Sequence, residues 1–357
     1  MKKQSLILVL FAALSMMVTS CDVHEFPELP GEPEKVSFTL HLDFDTEMPL
    51  YKEVVHTKSR SANSADAYDV RHIVSVHRLY PDGGYDRTAD TLIVFTCDDV
   101  VNLNCSRELT LREGEYNFFV WTDFVDERSQ ADKYYTTSDF AEIILRDRND
   151  HAGSCDFRDA FRGEQQATVV VKKDEMTDVV NEATVTMKRP LAKFKFISTD
   201  YEVFVENALK AEALKNGAST ASEKNGDGTE SRGINPDDYR VVFRYTGFMP
   251  CSYNMFTDKP ADSWTGVSFE SALTPAENGE VELGFDYVFV NGSEAGVSVM
   301  AEVYHKDGEL VASSPSIDVP LKRGRLTIVR GSFLTSVAQG GVGIVPDFDG
   351  EYNLEIQ

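Results

Sequence analysis

Apolar and polar side chains alternate with a period of two, in short runs along almost the whole chain, and this commits it to β-sheet. In 36–44, Val36, Phe38, Leu40, Leu42 and Phe44 alternate with Ser37, Thr39, His41 and Asp43. Successive strand side chains point to opposite faces, so this run predicts a strand with one buried and one wet face. Runs at 71–80, 92–95 and 108–111 predict further strands. Pro81-Asp82-Gly83-Gly84 follows the first of these and supplies the fixed and positive φ angles of a hairpin turn. The stretch 116–121 is apolar at both parities, with Tyr116, Phe118 and Val120 opposed to Phe119 and Trp121, which predicts a central strand buried on both faces.

After further predicted strands at 169–171 and 180–187, the phase slips at Lys188-Arg189-Pro190. Val185 and Met187 are odd-numbered apolar positions, whereas Ala192, Phe194 and Phe196 are even. Pro190 has no N–H for a ladder and is the natural place to absorb the extra residue. This break divides the chain into an N-terminal domain, 36–185, and a C-terminal domain, 186–357. The second half holds a predicted helix at 205–215, a patternless small and polar insertion from 216 to 233, and strands at 239–245, 281–290, 296–304, 309–312 and 325–329. Lys306-Asp307-Gly308-Glu309 reads as a hairpin turn, and 352–356 as an edge strand. Many short strands, regular turns and little helix predict a mainly β chain of two tandem antiparallel β-sandwich domains.

The first twenty residues belong to neither domain. Lys2 and Lys3 precede an apolar run over 6–18 that closes on Val18-Thr19-Ser20-Cys21. A basic start, a run too short to span a bilayer and small residues before a cysteine read as a lipoprotein signal peptide, 1–20, with Cys21 as the lipid acceptor. The proline-rich acidic stretch 21–35 reads as a tether. These features predict export to the outer membrane and retention there by lipid, with the chain facing the cell exterior.

Lys and Arg total 35 against 59 Asp and Glu, a formal charge of -24; loss of Lys2 and Lys3 with the signal makes it 33 minus 59, or -26. No basic stripe is present to neutralise phosphates, which excludes nucleic acid as a partner. Beyond Cys21 the cysteines are Cys97, Cys105, Cys155 and Cys251. Cys97 and Cys105 flank a segment able to turn between them and are the pair a disulfide would join; unpaired buried thiols are the alternative. No Cys-x-x-Cys pair occurs, so neither metal nor cofactor is expected. His72 and His77 fall on opposite faces of their strand, and no nucleophile elbow, zinc-protease helix or phosphate loop is present. The expectation is a non-catalytic protein.

Several short motifs also match a known group. The lipobox, the Arg189-Pro190-Leu191-Ala192-Lys193 strand, the aromatic Phe118-Phe119-Val120-Trp121, and Arg325-Leu326-Thr327 followed by Gly331-Ser332-Phe333-Leu334-Thr335 together resemble the fimbrillin-type lipoproteins of Bacteroidales. The resemblance implies tandem transthyretin-like sandwiches and assembly with fimbrial subunits by strand donation. It also implies that polymerising members are cut after an arginine in the N-terminal segment. Arg60, in Lys58-Ser59-Arg60-Ser61-Ala62, is either that processing position or an arginine in a polar loop. An uncut chain keeps its lipid and acts as an anchor, accessory or tip subunit. The alternative is a surface lipoprotein that binds glycans or host surface proteins through Tyr253, Phe256 and Trp264, unless these aromatics plug the end of a sandwich. Asp90-Thr91-Leu92 matches a short O-glycan acceptor pattern at Thr91.

Overall fold

The structure is a computed structural model and describes residues 34–48, 68–172, 180–215, 234–276, 279–291, 294–336 and 353–356. Cys21 and Arg60 lie outside the described residues, as do the signal peptide, nearly all of the tether and the 216–233 insertion.

The first half contributes β1 (Lys35–Phe44), β2 (Tyr68–Arg78), β3 (Thr91–Cys97), β4 (Cys105–Arg112), β5 (Gly114–Asp126), β6 (Tyr135–Thr136), β7 (Ile143–Leu145), β8 (Phe161–Val169) and β9 (Glu182–Met187). Seven of these strands form two sheets, ordered β4-β1-β9 and β3-β2-β5-β8. The alternation in the sequence now has its cause. Phe38, Leu40 and Leu42 of β1, Leu109 and Leu111 of β4, and Val185 and Met187 of β9 meet Val70, Val74, Val76, Phe118 and Val120 of the facing sheet in one core. Hairpin β2–β3 pairs from Val70↔Cys97 to Val76↔Thr91, and Tyr80 N donates to Gly84 O across the predicted turn.

The second half contributes β10 (Leu191–Ser198), helix α1 (Tyr201–Lys215), β11 (Tyr239–Tyr245), β12 (Met249–Pro250), β13 (Ser252–Asn254), β14 (Lys259–Pro260), β15 (Ser263–Trp264), β16 (Ser268–Ala272) and β17 (Thr274–Pro275). It ends with β18 (Val281–Phe289), β19 (Glu294–His305), β20 (Leu310–Ser313), β21 (Ile317–Lys322), β22 (Leu326–Gly331) and β23 (Asn353–Ile356). Sheet β17-β18-β10-β22-β23 and sheet β16-β11-β19-β20, with β21 also on β19, enclose a second core around Phe194, Phe196, Phe243, Phe289 and Val299.

Two features tie the halves together. Strand β5 is buried on both faces, as expected: Phe118 and Val120 enter the first core while Phe119 and Trp121 enter the second. A small sheet, β14-β13-β7-β6, then joins segments far apart in sequence through the pairs Ser252↔Ile144 and Tyr253↔Ile143. The chain changes cores at the phase slip, with Met187 in the first and Leu191 in the second. The fold is mainly β and sandwich-like, with one difference from a wholly antiparallel arrangement. Pairs β1–β9, β10–β22 and β22–β23 are parallel, which is open to strands that no tight hairpin connects.

Candidate functional site

Strand β1 lies in the middle of its sheet. It runs antiparallel to β4 from Lys35↔Arg112 to Leu42↔Cys105 and parallel to β9 from Thr39↔Glu182 to Phe44↔Met187. Its inner face is closed, with Phe38 and Leu40 at 0% exposure and Leu42 at 2%, and the Phe38 ring stacks on Phe118 at 5.2 Å between centroids. Its outer face is polar: His41 Nδ1 lies 2.7 Å from Ser106 Oγ and Nε2 3.6 Å from Glu182. At the strand's C-terminal end, Phe44 N donates to Asn104 Oδ1 at 2.9 Å, and just beyond it Asp45 N donates to Met187 O at 3.0 Å. Taking β1 away would bare an apolar groove flanked by two rows of unpaired backbone groups, the combination that an added strand satisfies. A second sheet edge carries β23, parallel to β22 from Ile328↔Asn353 to Gly331↔Ile356.

The aromatic segment is placed differently from the expectation of a sugar-stacking loop. Tyr253 is 0% exposed; its ring stacks on Phe289 at 5.3 Å and its hydroxyl donates to Asp258 and accepts from Arg323 Nη2 at 3.2 Å. A ring enclosed on its faces offers none to a ligand. Phe256 and Trp264 are half-buried against the second core, and Phe256 meets Phe119 edge-on at 4.9 Å. The exposed aromatic of this segment is Phe248, 72% accessible, a residue the alternation did not single out as a binder.

A polar cleft of about 670 Å³ opens beside the turn at 149–153, lined by Arg240, Arg244, Glu270 and Tyr304. Strand alternation puts Arg240 and Arg244 on the outer face of β11, where each meets a carboxylate, Glu270 and Glu302 respectively. The Arg240 guanidinium sits over the Tyr304 ring at 5.1 Å. Behind the cleft, His151 Nε2 lies 2.6 Å from Asp286 Oδ2, Tyr245 Oη donates to the same oxygen at 2.7 Å, and Arg158 pairs with Oδ1. Burial alone would raise the Asp286 carboxyl, but the Arg158 charge and the His151 and Tyr245 donors outweigh it and hold it down to about 2. Burial and the Arg158 charge depress His151. This enclosed network lies beside the cleft, which His151 also lines.

Cys97 and Cys105 do come together, as free, half-buried thiols, with their sulfurs within 4.8 Å of each other and of a ring nitrogen of His72. They belong to different sheets, so the first core and not the intervening segment alone sets their approach. Cys251 is a buried thiol, and the buried Cys155 Sγ lies 3.3 Å from the Tyr134 hydroxyl. Sequence reasoning set His72 against His77 and did not join it to the cysteines. The available signal was the β2–β3 register, which places Cys97 opposite Val70, on the same face as His72.

A family model described as a family of unknown function (DUF6562) matches residues 31–357. No curated protein matches the sequence. Solved structures similar to this chain include the fimbrial anchor protein Mfa2 from Porphyromonas gingivalis, at 10% identity over 78% of this chain and 82% of that one, with a TM-score of 0.36. A candidate adhesin from Bacteroides ovatus matches at 10% identity over 96% and 98%, TM-score 0.39. Candidate polysaccharide binding proteins from Bacteroides thetaiotaomicron match at 13% over 77% and 79%, TM-score 0.36. At these similarities the solved structures assign no residue of this chain a role. By the extent of the family match, the chain belongs to DUF6562.

Proposed function

We propose that this member of DUF6562 is a non-catalytic cell-surface lipoprotein, held to the outer membrane through Cys21, that serves as a fimbrial anchor, accessory or tip subunit and assembles by β-strand addition. The observation that carries the reading is the position of β1: it is the middle strand of its sheet, it is the first strand after the tether, and it precedes Arg60. Cutting after Arg60 would sever β1 from the rest of the chain and open the slot between β4 and β9 to a neighbour's strand. Leaving the chain whole keeps the slot filled and the lipid attached, which suits an anchor or terminal subunit. The units that would act are residues 36–185, which hold the slot, and 186–357, whose sheet edge carries β23. The reading rests on this strand arrangement and not on the likeness to the fimbrial anchor of Porphyromonas gingivalis.

The experiment is the intact mass of the protein taken from its native membrane, with whatever co-purifies in mild detergent. An acylated chain starting at Cys21 with fimbrial subunits attached is the expected result. A chain starting at Ser61 without lipid would make it a polymerising subunit instead. An acylated chain that comes alone at every detergent strength would overturn the fimbrial reading. It would favour a binder of glycans or host surface proteins, for which the cleft with its Arg240–Tyr304 stack is the supporting observation.

A further inference from the structure

Strands β2, β3 and β4 bring an imidazole and two thiols together at one end of the first core. The ligating atoms of His72, Cys97 and Cys105 all lie within 4.8 Å of one another, and among the described residues no other such trio of His, Cys, Asp or Glu converges. His72 is fully buried, and its ring is oriented from several sides. Nδ1 lies 2.9 Å from Thr122 Oγ1, and the Phe95 and Phe44 rings lie 4.8 and 5.9 Å away. With Nδ1–H donating to Thr122, the Nε2 lone pair faces Cys105 Sγ at 3.7 Å.

We propose that His72, Cys97 and Cys105 form a binding site for one thiophilic d¹⁰ cation of the zinc class. Two sulfurs and one imidazole nitrogen are the donors such an ion selects. Zinc–sulfur bonds of about 2.3 Å and zinc–nitrogen bonds of about 2.0–2.1 Å separate tetrahedral ligands by roughly 3.6–3.8 Å. The Nε2–Sγ distance already has that value, and side-chain rotation supplies the remaining contraction. Thr122 plays the outer part, fixing the ring through its other nitrogen as partners of ligating histidines do. Both cysteines are half-buried, and three protein donors would leave one position of a tetrahedral ion to an outside ligand such as water.

Thiols ligate zinc as thiolates, so uptake of one dication would release two thiol protons and affinity would rise with pH. The bound ion would staple sheet β3-β2-β5-β8 to sheet β4-β1-β9 where Leu42 of β1 pairs with Cys105. A disulfide would make the same link but leave the imidazole without a part in it.

The test uses the full mature chain, purified with reductant and stripped with a chelator. Zinc is titrated with native mass spectrometry and thermal unfolding as readouts, and cobalt(II) serves as an absorbance probe of thiolate ligation. One ion per chain, two protons released, a cobalt–thiolate charge-transfer band and a raised melting temperature are expected. Cys97→Ser, a near-isosteric change at a half-buried position, should abolish the band in a protein that still folds. Thr122→Val should weaken zinc about 10- to 100-fold. Three outcomes would each overturn the assignment: no zinc taken up by the reduced chain, zinc binding unchanged in Cys97→Ser, or protein from the native membrane that lacks two hydrogens because Cys97 and Cys105 are joined.

Discussion

If β1 is a separable strand, weakening it must open its own sheet before anything else. Leu40 is the residue to change: it is 0% exposed in the first core, and its register partners are Arg107 on β4 and Ala183 on β9. Leu40→Ala removes buried methyl groups and leaves a cavity, which costs roughly 2–5 kcal/mol. At about 1.4 kcal/mol per tenfold, the population with β1 detached rises about 30- to 4,000-fold. Native-state hydrogen exchange reads that population directly, because amides are exposed in proportion to the opening that frees them. The amides of β4 and β9 should exchange faster by that factor, while those of β10, β18 and β22 in the second core keep wild-type rates. Equal acceleration in both cores would mean that β1 leaves only when the whole molecule unfolds, and the slot argument would fail.

Other consequences are as direct. After cleavage at Arg60, a synthetic peptide of residues 35–44 is expected to bind the cut protein and not the intact one, as seen by fluorescence anisotropy; equal binding to both would argue against a vacated slot. Arg158→Met leaves Asp286 charged, buried and without its cation, and should cost about 3–5 kcal/mol in denaturant unfolding. An unchanged midpoint would contradict the pairing. Asp286 is held down to about 2 in the fold, below an unfolded carboxyl near ~3.9. Its contribution to stability is therefore complete above roughly pH 4 and is lost as the pH falls through about 2, and a stability curve flat across that window would refute it. At Gly163 an added Cβ would press on Val185 Cγ1 and Met187 Sδ, so Gly163→Ala should destabilise by about 1–3 kcal/mol, measured as a lowered melting temperature.

The alternation along 36–44 was enough to predict β1 and its buried face, because a strand's side-chain period is local and needs no partner to be read. The same holds for the double-sided run at 116–121 and the phase slip at Pro190, across which the chain changes cores. The signal failed where burial is one-sided and weak. β8 spans Phe161–Val169, yet only its end was legible, because Glu164, Gln166 and Thr168 face outward or sideways and the strand is held by its ladder with β5. Segment 248–264 read as an aromatic loop, but β13 pairs with β7 from more than a hundred residues earlier and carries Tyr253 inside.

The sequence by itself determined that this is a mainly β chain, where its strands alternate and which faces they bury, since each of those properties is written in neighbouring residues. Only the tertiary structure decided that β1 sits between β4 and β9 and not at an edge, that Tyr253 is enclosed, and that His72 meets Cys97 and Cys105 across two sheets. Those facts depend on pairings between distant segments and on how sheets stack. Local spacing carries no information about either until the backbone hydrogen bonds and the shared core have chosen among the registers that the same alternation allows.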